Sequence, residues 1–267
     1  MNIERETSGD GTVGKALDVL DRVAAFGRPV RFSELLETAP FPKATLYRLL
    51  QTLASQKMLQ VDPEAGTYAP GMRLVRMAHA AWASSSLAPI ARPHLDALSR
   101  EVGETVHLAQ LDGGHVLYVD KRNAARPVAM YSEAGKVGPA YCTGVGKAML
   151  AFLPPAELDA ALAQQSWHRF TPTTITDPDA MRAELTAIRA AGHARDSEEH
   201  EPDIACIAMP ILSAGGRVLG AVSVTSAGWG AGSRADDIAR HLPALDRAVA
   251  RIAEDLRDWR FPDRGED

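Results

Sequence analysis

Residues 30–71, VRFSELLETAPFPKATLYRLLQTLASQKMLQVDPEAGTYAPG, constrain the fold more than any other stretch, because they spell two helices around a proline turn followed by a hairpin. Ser33 can cap a short first helix with Leu35 and Leu36 turned inward. Ala39-Pro40-Phe41-Pro42 then stops it, since proline lacks an amide donor and clashes with the preceding turn. Pro42 suits the first position of the next helix, along which Leu46, Leu49, Leu50 and Leu53 recur at i, i+3, i+4 and i+7. One face of that helix is therefore core. The opposite arc carries Ala44, Arg48, Gln51 and Ser55, flanked by Lys43, Thr45 and Tyr47, a set of donors with one small residue and no acid.

Such a face can enter a major groove, with Lys43, Arg48 and Gln51 bonding base edges or phosphates and Thr45 and Tyr47 suited to the backbone. Leu59-Gln60-Val61 and Thr67-Tyr68-Ala69 bracket a turn at Asp62-Pro63-Glu64-Ala65-Gly66, which makes a wing presenting Thr67 or Tyr68. Arg31, at the start of the first helix, joins the candidate contacts. The alternative is an αα-hairpin whose polar face is merely solvated; the complete order of two helices, proline turn and hairpin points to a winged helix-turn-helix that binds DNA.

At 267 residues the chain exceeds one ordinary domain. Its 29 Lys and Arg stand against 34 Asp and Glu, net −5, which argues against general adhesion to nucleic acid. The imbalance is uneven: residues 13–76 carry nine basic and six acidic side chains, residues 77–267 carry 19 and 25. A basic small domain and an acidic large one fit a localised phosphate-contacting surface. The two cysteines, Cys142 and Cys206, have no CxxC spacing, and the first dozen residues are polar, so a reduced, cytoplasmic protein is expected. No apolar run is long enough to predict a membrane span. Residues 1–12 are expected to form a mobile tail, and a first helix from Val13 packs through Ala16, Leu17, Val19, Leu20 and Val23.

Residues 72–86 read as a linker helix whose stripe of Leu74, Val75, Ala78, Ala81 and Trp82 either packs on its own domain or pairs with a second copy. Beyond it, helices are expected over 91–102, 144–153, 156–163, 181–191 and 234–256. Strands are expected over 106–111 and 116–120, around Asp112-Gly113-Gly114, and over 204–212 and 218–225, around Ser213-Ala214-Gly215-Gly216. Residues 128–132 are a candidate third strand. Tight turns joining both pairs favour an α+β sandwich, an antiparallel sheet covered by helices.

Gly144-Val145-Gly146-Lys147 suggests a phosphate loop, but Tyr141 stands where a Walker motif needs glycine and Ala148 where it needs Ser or Thr. What remains is a glycine-rich helix start whose amides can take a carboxylate, or else a close helix–sheet contact that demands small residues. Glu198, Glu199, His200, Glu201 and Asp203 could hold a metal or act as acid and base, yet they lack metal-ligand spacing, and a charged loop is usually just solvated. Cys206 within a strand reads as a buried small hydrophobe before a nucleophile. No catalytic group, cofactor or metal is assigned.

With these residues in view, the chain resembles the IclR family of bacterial transcriptional regulators over about residues 13–256. The resemblance rests on Pro42-Lys43-Ala44-Thr45-Leu46-Tyr47-Arg48-Leu49-Leu50, Gly66-Thr67-Tyr68, Cys142-Thr143-Gly144-Val145-Gly146-Lys147-Ala148, and Asp196-Ser197-Glu198-Glu199-His200-Glu201-Pro202 leading to Cys206-Ile207-Ala208-Met209-Pro210-Ile211. It implies a winged helix-turn-helix over 13–71, a dimer-forming linker helix over 72–86 and a GAF-like effector-binding domain over 87–267. Homodimers that pair into tetramers on a pseudo-palindromic double-stranded DNA operator are implied as well.

The resemblance further implies a pocket for a small organic or aromatic acid, built here from Met130, Gly144, Val145, Asp196, Ile204, Cys206, Ser223 and Thr225. The residues agree in part: Ser223 and Thr225 alternate to one strand face and could assist the amides of Gly144 and Val145. Met130, Val145 and Ile204 would leave room for an apolar body, which favours a hydroxylated or aromatic acid. Ala44 departs from the serine of many relatives, so operator preference does not transfer. Repression and activation both stay open. The rival classes are an enzyme acting on a small acid through the acidic loop and Cys206, and a constitutive DNA-architectural protein.

Overall fold

The leucine repeat at 46, 49, 50 and 53 becomes the buried face of a helix over Lys43–Ser55 (α3), where each side chain leaving water contributes on the order of 1.5–3 kcal/mol. It packs with α1 (Thr12–Ala25) and α2 (Phe32–Thr38), and Val19, Leu20, Val23, Val30, Leu35, Leu59 and Tyr68 complete that core. The structure, a computed structural model, describes residues 11–85, 87–125, 130–227 and 238–257, with backbone only at 82–85. Contacts divide the chain into two compact units, Met1–Ser84 and Ser85–Asp267.

In the first unit the wing pairs β2 (Leu59–Asp62) with β3 (Thr67–Pro70) in antiparallel register, Val61 opposite Tyr68. The Asp62 carboxylate closes the turn by accepting the amides of Glu64 and Ala65 at 2.9 and 3.0 Å, and Gly66 takes φ +65°. A short β1 (Val30–Arg31) adds to the other edge of β3, a pairing the local pattern did not predict. Ser33 does not cap α2. That position falls to Arg31, whose amide donates to Glu34 Oε2 at 2.8 Å, the third helical residue reaching back to the cap. Leu17, expected in the core, is half exposed. A helix over Met72–Ser85 (α4) follows; Leu74 packs on this unit's core, while Met72, Val75 and Met77 stay exposed.

The second unit is built on a six-stranded antiparallel sheet. Its strands are β4 (Thr105–Asp112), β5 (His115–Arg122), β6 (Val137–Gly138), β7 (Ala194–Ser197), β8 (Ile204–Leu212) and β9 (Val218–Ala227), in the order β6-β5-β4-β9-β8-β7. The last strand in sequence lies between β4 and β8. Helices α5 (Ala88–Val102) and α9 (Leu242–Asp255) pack together against β4, β8 and β9. Because side chains alternate along a strand, Asp196, Cys206, Ala208, Ser223 and Thr225 project to the opposite face. There lies α6 (Gly144–Leu150), all seven of its residues buried, with α8 (Pro178–Ala191) beside it; α7 (Pro155–Ala163) joins the same core. Asp177 caps α8 by accepting the Ala180 amide at 2.7 Å, and Gly192 ends it at φ +77°.

Residues 130–132 form no strand; β6 takes the place beside β5. Asp196 and Ser197, for which no strand was expected, belong to the edge strand β7. Most of the expected tail over 1–12, residues 128–129, the Trp82 side chain and residues 234–237 of the expected final helix lie outside the described residues. Among the described residues no helix is long and apolar enough to cross a membrane.

Candidate functional site

Two surfaces collect the chemistry. On the first unit, α3 exposes Ala44, Arg48 and Gln51 on the face opposite its buried leucines, with Lys43 and Tyr47 exposed and Thr45 half exposed on its flanks. Tyr47 is 54% exposed and stands edge-on to Phe32, 6.1 Å between ring centres, which fixes its direction. Arg31 is exposed at the start of α2, and Thr67, half-buried, pairs with it across the wing sheet. Tyr68, expected on the wing surface, is only 7% exposed and belongs to the core; burial raises the pKa of its hydroxyl.

In the second unit, two neighbouring rungs of the sheet carry the polar groups. One rung reads Asp196, Cys206, Thr225 and Thr105 across β7, β8, β9 and β4; the next reads Ala194, Ala208, Ser223, His107 and Lys121. Gly144 of α6 lies over the first rung: a Cβ there would stand 2.3 Å from Cys206 Sγ and 3.6 Å from Asp196 Cβ. A Cβ on Gly146 would meet the Ala140 carbonyl oxygen at 2.2 Å. Gly146 is therefore demanded by the backbone it meets, whereas at Gly144 the Cys206 side-chain end would have to move.

Between α6 and the rungs lies a cavity of about 30 Å³ lined by seven of the eight expected effector residues, Gly144, Val145, Asp196, Ile204, Cys206, Ser223 and Thr225. Met130 is buried and does not line it. The structure adds His107, Tyr118, Ser132, Thr143, His200 and Glu201. Of these, His200 and Glu201 carried a sequence signal as part of the acidic run, and Thr143 as part of the glycine-rich motif. His107 offered only a polar residue inside a buried strand, and Tyr118 and Ser132 offered none. A volume of that size holds a few waters, so a larger body enters only if lining side chains rotate.

Hydroxyls and imidazole interlock around this space. Ser132 Oγ lies 2.8 Å from His107 Nε2, while Ser223 Oγ and Thr225 Oγ1 lie 3.4 and 3.3 Å from Nδ1. Burial, aided by the nearby Lys121 charge, lowers the His107 pKa to about 3, so its ring is neutral and donates from one nitrogen only. Asp196 is pushed up to about 7, first by burial and then by the neighbouring Glu199, although its Oδ1 accepts the Glu199 amide at 2.8 Å. Glu201 takes the Tyr131 amide on both oxygens, at 3.0 and 3.1 Å; that bond and His200 outweigh its burial and hold it below the usual carboxylate range. Burial pushes the Cys206 thiol up, so it stays protonated.

Behind the cavity, Lys147 of α6 is 1% exposed and donates to Glu199 Oε1 at 2.5 Å and to Glu184 Oε1 of α8 at 3.1 Å. Burial opposes its charge, but Glu199, Glu184 and Asp196 outweigh that and keep it an ammonium. Glu199 Oε2 is buried without a hydrogen-bond partner among the described residues. The loop carrying Glu199 to Glu201 has Glu198 and Asp203 at φ +61° and +62°. It is clamped by Thr171 Oγ1 on the Glu198 carbonyl and Thr174 Oγ1 on the Glu199 carbonyl, both at 2.6 Å.

Comparison with known proteins agrees with both halves. Residues 12–63 match the model of the IclR helix-turn-helix domain and residues 79–252 that of the bacterial transcriptional regulator IclR C-terminal domain. The HTH-type transcriptional regulator XynR of Escherichia coli is 33% identical over 215 residues, 80% of this chain and 85% of that protein. The crystal structure of Thermotoga maritima IclR superposes with a TM-score of 0.73 at 29% identity, covering 92% of this chain and 98% of that one. An IclR homologue from Microbacterium hydrocarbonoxydans complexed with 4-hydroxybenzoate shares the fold, with a TM-score of 0.79 at 24% identity over 92% of this chain and 99% of that one. An N-terminal helix-turn-helix followed by an IclR C-terminal domain, matched along most of its length, makes this chain a member of the IclR family of bacterial transcriptional regulators.

Proposed function

We propose that the protein is an effector-responsive regulator that binds a pseudo-palindromic DNA operator and senses a small organic or aromatic acid. The observation that carries this reading is the convergence of α6, β7, β8 and β9 on one polar cavity, in a chain whose other unit exposes a donor-rich helix face. Residues 13–71 form the DNA-binding domain, 72–86 the linker helix and 87–267 the effector domain. Lys43, Thr45, Tyr47, Arg48 and Gln51 contact the operator, with Ala44 giving close approach and Arg31 and Thr67 flanking; Tyr68 supports the wing from inside. The effector's carboxylate lies against the first amides of α6 and the hydroxyls of Ser223 and Thr225, with Val145 and Ile204 against its apolar part.

The 4-hydroxybenzoate held by the structural neighbour supports an acid of this kind. The exposed Met72, Val75 and Met77 of α4, together with Val13 and Leu17 of α1, supply an apolar surface for a second copy, giving a homodimer and, through a further interface, a tetramer. Turnover has little support, because the thiol of Cys206 is held protonated and buried. Mobility shift on the DNA flanking the gene, with and without a panel of small acids, tests the reading. A sequence-specific shift altered by one acid is expected. A shift that no acid changes would leave a constitutive DNA-binding protein, and no shift on any fragment would sink the operator assignment.

A further inference from the structure

The cavity is unusual for one that receives an anion, because no lysine or arginine lines it among the described residues. It already faces two carboxyl groups, Asp196 and Glu201, with a third, Glu199, just behind. The nearest ammonium, Lys147, is committed to Glu199 and Glu184, and Lys121, opposite His107 in the sheet, is committed to Glu133 at 2.6 Å. The remaining titratable neighbours are neutral: the buried imidazole of His107, the thiols of Cys142 and Cys206, and the phenol of Tyr118. His200 pairs with Glu201 at 3.7 Å. A further negative charge placed here would meet two carboxyl groups, dipoles and one imidazole already paired with Glu201, unless a proton enters with it.

We infer that the effector carboxylate binds as one half of a hydrogen-bonded acid–carboxylate pair with Asp196, so that binding takes up a proton from solvent wherever Asp196 is ionised in the empty site. This rests on the effector-site reading and adds its chemistry. Asp196 is placed for the role: it is buried, it lines the cavity, and the Glu199 amide already bonds one oxygen, which turns the carboxyl group as a whole. The protonated group then donates a single O–H to the ligand oxygen, and no cation is needed. The site accordingly selects acids with one carboxylate at this end and rejects a second charge that would stand beside Glu201.

With Asp196 titrating at about 7 in the empty site, affinity is constant below that pH and falls as Asp196 loses its proton. The test is calorimetric titration of the full-length protein with benzoate, 4-hydroxybenzoate and pyruvate, in pairs of buffers of different ionisation heat. Expected is a fall of about tenfold in affinity per pH unit above about pH 7.5, with uptake of nearly one proton per site. Asp196→Asn, whose amide donates to a carboxylate without titrating, should bind with a flat profile and no proton uptake. Binding by the wild type with a flat profile and no uptake would overturn the pairing and leave the effector site standing. Failure of every acid to bind at about pH 6, where the pairing makes binding tightest, would overturn both.

Discussion

The ammonium of Lys147 lies 2.5 Å from Glu199 Oε1 although the lysine side chain is 1% exposed. That ion pair ties the helix carrying Gly144 and Val145 to the loop carrying His200 and Glu201. Removing one member of a buried pair strands the other, which costs about 3–5 kcal/mol. Lys147→Met should lower unfolding free energy in urea by that amount, and Lys147→Met with Glu199→Gln should recover part of it. Equal loss in the single and double variants would refute the coupling.

Gly144→Ala puts a methyl group 2.3 Å from Cys206 Sγ, at the wall of the cavity. The variant should fold, because the clash is with one side chain end, but lose at least about tenfold in acid binding as the helix start is displaced. Cys206→Ala in the same chain should restore binding in part. Calorimetric titration checks both, and unchanged affinity in Gly144→Ala would show that ligands do not approach this helix.

Arg48 and Leu50 lie on opposite faces of α3 and should fail differently. Arg48→Ala leaves the core intact and should cost about 1–3 kcal/mol in operator binding, measured by fluorescence anisotropy. Leu50→Ala should cost about 2–5 kcal/mol of stability in the small unit. Tyr68→Phe, inside the wing, should change operator affinity much less than Tyr47→Ala. A large loss in Tyr68→Phe with the fold intact would put its hydroxyl on DNA after all.

His107 gives a pH dependence of known sign. Its folded pKa of about 3 lies below the ordinary 6.5, so the unfolded chain binds the proton first. The stability it contributes is complete above 6.5 and is lost as pH falls towards 3, at about 1.4 kcal/mol per unit. His107→Gln should therefore gain stability relative to the parent between pH 6.5 and 4 in urea titrations, whatever its offset at neutral pH. Parallel stability curves for the two proteins would contradict a buried neutral imidazole.

How much of this was legible depended on the range of the interaction. Leucines three and four apart, a proline turn and an Asp-to-Gly hairpin are local, and α3 and the wing follow from them. Tyr68 was misplaced because a strand pattern gives alternation but not which face is inward; pairing of β1 with β3 decides it. β7 was overlooked because its outward Arg195 and Ser197 and its inward Asp196 are all polar, and only the sheet edge gives that aspartate a buried side. The pocket's glycines and hydroxyls came from resemblance, whereas His107 and Ser132 meet across 25 residues of chain that no local rule connects. Lys147 was discounted as a phosphate-binding residue, but its burial between two glutamates has no sequence signature.

The insertion of β9 between β4 and β8 also sets an order of assembly. His107 meets Ser223 and Thr225 across more than a hundred residues, so the cavity cannot close until nearly the whole chain has left the ribosome. The winged unit closes over short sequence separations and can fold while the rest is still being made. A nascent or truncated chain could thus hold DNA before it can sense anything, and premature termination ahead of β9 would produce a binder deaf to its effector.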